Sequence, residues 1–128
     1  MQTALTHGIK VSVESFYQAQ QSNPQASHYV FAYRISIVNE SDEVIVLRRR
    51  HWFITDSTGE HREVEGEGVV GEQPMLKPGE AFVDVSGCNF NSEFGKMHGT
   101  YLMERINNNS LFEVKIPEFQ MAFPYRLN

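Results

Sequence analysis

The chain holds one cysteine in 128 residues, Cys88. That excludes an internal disulfide and suits a reducing compartment. No Lys, Arg or His lies beside Cys88 in sequence to activate its thiol, so it reads as a small semi-buried residue in a Gly-Cys-Asn turn. Basic residues are scarce as well: 11 Lys and Arg stand against 16 Asp and Glu, a formal charge of −5. Nucleic acid is therefore not an expected partner, because neutralising phosphates needs a basic face. No apolar run approaches the ~20 residues of a membrane span, and no membrane insertion is expected. The opening MQTALTHGIK has neither a basic nor an apolar signal-peptide region, which makes the cytoplasm the expected location. Missing too is the helical period, which no segment sustains over about ten residues.

What the chain does have is alternation. In GIKVSVESF, Ile9, Val11 and Val13 fall on one parity and Lys10, Ser12 and Glu14 on the other, the signature of a half-buried strand. YVFAYRISIVN repeats it with Tyr29, Phe31, Tyr33, Ile35 and Ile37. QAQQSNPQAS reads as a loop, NESDE and STGEH as turns, and LKPGE as a Pro-Gly turn. AFVDVSG, TYLMERI and LFEVKIPEF read as further strands, with FNSEFGKMHG as a longer loop before TYLMERI. Seven to eight strands with turns between them predict an all-β, antiparallel sandwich of the immunoglobulin or fibronectin-III kind. The 41% hydrophobic content suffices for a core, and residues 1–128 read as a single domain.

VIVLRRRHWFITD poses a parity conflict. If Trp52 and Ile54 point inward, a straight strand sends Arg48 and Arg50 inward too, and burying unpaired guanidiniums is costly. A bulge or a change of sheet near Arg48–Arg50 resolves it, leaving the arginines on a solvated edge or as a partner-binding patch.

GEGVVG (66–71) is formally G-x-G-x-x-G. A dinucleotide site needs a helix starting within that motif, and the Glu-Gln-Pro-Met-Leu-Lys-Pro-Gly that follows forbids one. Without a helix N-terminus there is no ready ring of N–H donors for a pyrophosphate, and Glu63, Glu65, Glu67 and Glu72 crowd the stretch with negative charge. The glycines therefore read as architecture, permitting φ > 0 and close backbone approach. The alternative keeps Glu65, Gly66, Glu67, Gly68 and Gly71 as a site for a small ligand, a nucleotide or a divalent cation within 63–73, since carboxylates 63, 65 and 67 share a strand face.

No catalytic set emerges. The five histidines form no compact ligand pair, and Ser86-Gly87-Cys88 lacks the G-x-S-x-G of a nucleophile elbow. No metal site and no cofactor are assigned. Arg49, Arg50 and His51, with Phe90 and Phe94 on the expected loop tip, are the candidate partner-binding residues, since aromatic and arginine side chains anchor interfaces.

The runs Arg50–Asp56, Glu63–Pro74 and Leu76–Glu80 together resemble the ApaG family. Ser86-Gly87, Gly95–Met103 and the closing Phe112–Phe119 carry the resemblance on, so it extends from about Gly8 to Phe119; Asn89–Phe94 departs from the family's usual loop. The resemblance implies an immunoglobulin- or fibronectin-III-like sandwich, with a link to cobalt resistance and magnesium efflux. It also implies use as a binding module, because similar domains are appended to F-box proteins and to a polymerase-associated protein. The expected role is thus non-enzymatic binding of another protein, with a homodimer through free edge strands as a further expectation.

Overall fold

The computed structural model of the protein describes residues 1–125. Alternation becomes strand wherever it was sustained. The long strands are β2 (Ile9–Tyr17), β3 (Tyr29–Asn39), β4 (Ile45–Asp56), β5 (His61–Glu67), β7 (Ala81–Phe90), β8 (Phe94–Arg105) and β9 (Leu111–Ala122). Two shorter strands, β1 (Gln2–Thr6) and the two-residue β6 (Met75–Leu76), bring the number to nine among the described residues. The sheets are antiparallel throughout, ordered β1-β2-β3-β7 and β5-β4-β8-β9, with β6 paired to β4. They pack face to face as a sandwich whose core takes one parity from β2, β3 and β8: Ile9, Val11 and Val13 from β2, Phe31, Ile35 and Ile37 from β3, Tyr101 and Met103 from β8. Stripping water from that apolar surface is the main stabilising term.

The expected loop 90–99 is instead a tight three-residue connection, 91–93, that carries the chain from one sheet to the other. β7 runs through Phe90 and β8 starts at Phe94. Phe90 is correspondingly not a loop-tip anchor. It is 3% exposed and packs against Phe31 in the core.

The conflict in β4 is resolved by a bulge at Arg48, where the register against β8 shifts between Leu47 and Arg49. Ile45 and Leu47 face the core before it, and Trp52 and Ile54 after it. The extra residue frees Arg48, whose Nε donates to Glu104 at 2.9 Å, but Arg50 still shares the inward face of Trp52. One polar side chain is wholly buried: Asn39, at the end of β3, donates to the Glu43 and Leu76 carbonyls and accepts from the Ser41 N–H and hydroxyl. It ties the 40–44 turn to β6, with every polar atom of its amide oxygen and nitrogen partnered.

On one side of the sandwich β1 and β2 lie against β9. On the other, β5 and β7 are free edges, one from each sheet, and a cleft opens between them.

Candidate functional site: the glycine turn and the cleft beside it

GEGVVG closes a hairpin. Val69 and Glu72 exchange backbone hydrogen bonds at 2.7 and 3.1 Å, with Val70 (φ 51°) and Gly71 (φ 84°) as the two central residues. Two positive φ values in a two-residue turn are the type I′ pattern. Gly68 (φ 59°) leads into it, and a side chain there would strike the Glu72 carbonyl. Val70 is the odd member, a β-branched, 75% exposed residue held in the left-handed region, where such residues are rare.

The turn's donors are engaged. Gly68 N–H donates to Arg48 O, Val69 N–H to Glu72 O, Gly71 N–H to Glu67 O and Glu72 N–H to Val69 O. A phosphate cradle needs these N–H groups pointing outward together; here they close the hairpin on itself and hook it to the β4 bulge. Gln73 reinforces the hook, accepting from Arg48 Nη1 at 2.9 Å and donating to Glu67 at 2.7 Å.

The two faces of β5 differ in charge. Outward, Glu63 Oε1 lies 2.7 Å from His51 Nε2 and Glu65 Oε1 lies 3.0 Å from His51 Nδ1. The ring takes one carboxylate on each nitrogen, so the three groups cannot turn to a common point. Among the described residues no three His, Cys, Asp or Glu side chains are arranged to hold a metal ion. His51 stacks on Phe53 at 4.3 Å, and Phe53 stacks on His98 at 5.2 Å across β8.

Inward, β5 presents Arg62, Val64 and Gly66 toward the cleft. Gly66 sits opposite Arg50 in the ladder, and a Cβ there would come within 2.8 Å of the Arg50 guanidinium. Its bareness makes room for Arg50 Nη1 to donate to the Glu67 and Gly68 carbonyls, both at 3.2 Å. Arg62 Nη2 donates to the Asn89 carbonyl at 2.7 Å, reaches Cys88 Sγ at 3.5 Å, and its guanidinium lies over the Phe90 ring. Burial pushes the Cys88 thiol up, with Arg62 partly offsetting it. Burial likewise raises the Tyr33 phenol, which lines the same cleft opposite β5.

The ApaG domain family matches residues 19–105. A Brucella anthropi protein named Protein ApaG is 51% identical over 124 residues, spanning 97% of this chain and 95% of the relative. The chain belongs to the ApaG family. An Allorhizobium ampelinum Protein ApaG is 48% identical over the same shares. A crystal structure of an ApaA protein from Bordetella pertussis superposes with a TM-score of 0.88 at 43% identity, covering 92% of this chain and 95% of that one.

Within this ApaG-family chain the candidate residues separate into three places. Glu65 and Glu67 face outward, whereas Gly66, Gly68 and Gly71 shape the turn and the seat of Arg50. Arg49 and His51 lie on the outer face, Arg50 at the mouth of the cleft. Phe94 is half-buried at the start of β8, and Phe90 is in the core. Arg62, Ser86 and Asn89, which complete the cleft, were not singled out by sequence. They lie on different strands from Arg50, and only the crossing of the sheets gathers them. No helix among the described residues is long and apolar enough to cross a membrane.

Proposed function

We propose that this ApaG-family chain is a non-enzymatic module acting in the cytoplasm that binds another protein by strand addition on the free edge of β7. The observation that carries the reading is the edge itself. β7 has ten residues, pairs only with β3, and exposes Val83 (47%) and Val85 (64%) on its outer face. A long edge strand with exposed valines offers a row of N–H and C=O groups to a partner strand, and such edges are blunted in chains that do not use them. Homodimerisation through the same edge is the closest variant of this reading. The link to divalent cations implied by the family resemblance then runs through the bound partner, since Glu63 and Glu65 are held by His51.

Affinity capture with wild type, Val85→Pro and Leu5→Lys tests this. A partner bound by wild type should be lost with Val85→Pro, which breaks the β7 edge, and kept with Leu5→Lys, which alters the edge at β1. Binding that survives Val85→Pro overturns strand addition. Turnover of a nucleotide or phosphoester that is lost with Arg50→Gln overturns the non-enzymatic assignment.

A further inference from the structure

We propose that the cleft between β5 and β7 binds a small organic anion: a carboxylate or phosphate ester carrying a flat apolar body. The space measures about 350 Å³, within the usual range for small-molecule pockets. Trp52, Tyr33, Ile54 and Met97 give it an apolar, partly aromatic lining. Arg50 and Arg62 supply the charge. The ladder sets them four positions apart, Arg50 opposite Gly66 and Arg62 opposite Ile54, so their Cα atoms are separated by roughly 13 Å of strand and the two side chains enter the cleft from opposite ends.

Neither guanidinium has a carboxylate within ion-pair distance among the described residues. Among the described residues the arginine ion pairs engage Arg34, Arg48 and Arg105. Arg50 and Arg62 donate only to backbone carbonyls and to the Cys88 sulfur. In a chain of net charge −5, two unneutralised cations facing one cavity are a local reversal of sign. The acids nearby make other contacts, although Asp84 keeps its charge on the inward parity and Asp56 feels that of Arg62. Glu63 and Glu65 point to the other face of β5 and are held by His51. Asp84, on the inward parity of β7, is bound by the Ser86 hydroxyl. Asp56 lies beyond Arg62, held by Thr58. A guanidinium that already grips a carbonyl keeps donors for a carboxylate or phosphate, and its planar fork suits either.

Val70 is the second observation. It stands at the mouth of the cleft, at a position where Asn or Gly would make the better turn. Strain of this kind collects where a side chain is needed for function. Here the valine gives the cleft an apolar lip, and the glycines around it place that lip and leave room for Arg50. The motif serves an anion through Arg50, which it positions.

The test is an NMR titration of the labelled chain, reading backbone amides and arginine Nε–H groups, with phenyl phosphate as probe and inorganic phosphate and phenol as separate arms. Phenyl phosphate is expected to give saturable shifts at Val70, Ser86–Asn89 and the Arg50 and Arg62 side chains. Phosphate or phenol alone should bind at least about tenfold more weakly, because each uses half of the site. Arg62→Gln should weaken binding by about fivefold or more, since it removes one charge-assisted contact. Arg49→Gln, on the outer face, should leave it unchanged. Arg62 lies exposed on an edge strand, and an unaltered spectrum of the free variant confirms that its fold is kept. Absence of saturable shifts at about 10 mM probe, shifts confined to another surface, inorganic phosphate binding as tightly as the ester, or indifference to Arg62→Gln would each overturn the proposal.

Discussion

Replacing Gly68 by Ala separates the two reasons a glycine can be required. The first is conformational: holding an L-residue in the left-handed region costs about 1 kcal/mol, and Gly68 sits at φ 59°. The second is space. A Cβ at 68 would fall 2.6 Å from the Glu72 carbonyl carbon and closer still to its oxygen, with Gln73 Cγ at 3.1 Å. Backbone cannot swing away as a side chain can, so the turn must open. Either the Gly68 N–H bond to Arg48 O or the Val69 N–H bond to Glu72 O, both 2.7 Å, is then lost, and losing one or both costs about 1–2 kcal/mol. The expected total is about 3 kcal/mol, or roughly 9 °C in melting temperature for a chain of this size. Gly71 is the control. Its φ is 84°, but nothing lies within 4 Å of a Cβ built there, so Gly71→Ala should cost only the conformational ~1 kcal/mol. Urea unfolding followed by the fluorescence of Trp52, the single tryptophan and 4% exposed, measures both. Equal losses for the two variants would refute the argument that Gly68 is there for close backbone approach.

Other expectations concern the rest of the turn and the core. Val70→Asn should stabilise the chain by about 1 kcal/mol, because Asn-Gly is the preferred type I′ pair; a loss of stability in the same unfolding assay would show that valine's contacts outweigh the strain. Asn39→Ala should cost about 3 kcal/mol, since it strands the buried Leu76 carbonyl and removes a donor from the Glu43 carbonyl and the acceptor of the Ser41 N–H, and a loss under about 1 kcal/mol would mean that water takes the place of the amide. Burial raises the pKa values of Tyr101, Tyr33 and Cys88 above their ordinary 10.0, 10.0 and 9.0, making each a weaker acid in the folded chain. In the unfolded chain these groups ionise first, so stability holds below about pH 9 and falls as pH rises further. Tyr101→Phe should flatten that alkaline fall in a series of melts, and an unchanged slope would exclude Tyr101 as a contributor.

The sandwich was legible because a strand with one buried face must alternate, and β3 alternates along its whole length and β2 through Glu14. β6 was not, since two residues display no period. The short crossing between sheets at 91–93 was hidden by composition. Gly95 and Gly99 look like loop residues, yet they lie in β8, where a Cβ at 95 would strike the Phe90 ring; a large core aromatic is accommodated by a bare position on the next strand. The same trade put Phe90 inside. The bulge at Arg48 followed from the cost of burying charge, but that argument could not say which arginine stays inward. Arg50 is tolerated there because two carbonyls of the glycine turn meet it at the sandwich mouth. His51 with Glu63 and Glu65 needed the β4–β5 register, and the cleft needed the position of one sheet over the other. Neither relation is written in local sequence.

The bulge in β4 makes one residue dispensable to the sandwich. Leu47 and Arg49 pair with the adjacent β8 residues Met103 and Leu102, so a chain lacking Arg48 would restore an unbroken ladder, with Leu47 and Trp52 still facing the core. What it would lose is the carbonyl that receives Gly68 N–H and the guanidinium that grips Gln73 and Glu104. Length variation at this point is thus decoupled from the fold and coupled to the hairpin beside the cleft. A one-residue deletion would leave a sound sheet with its latch undone.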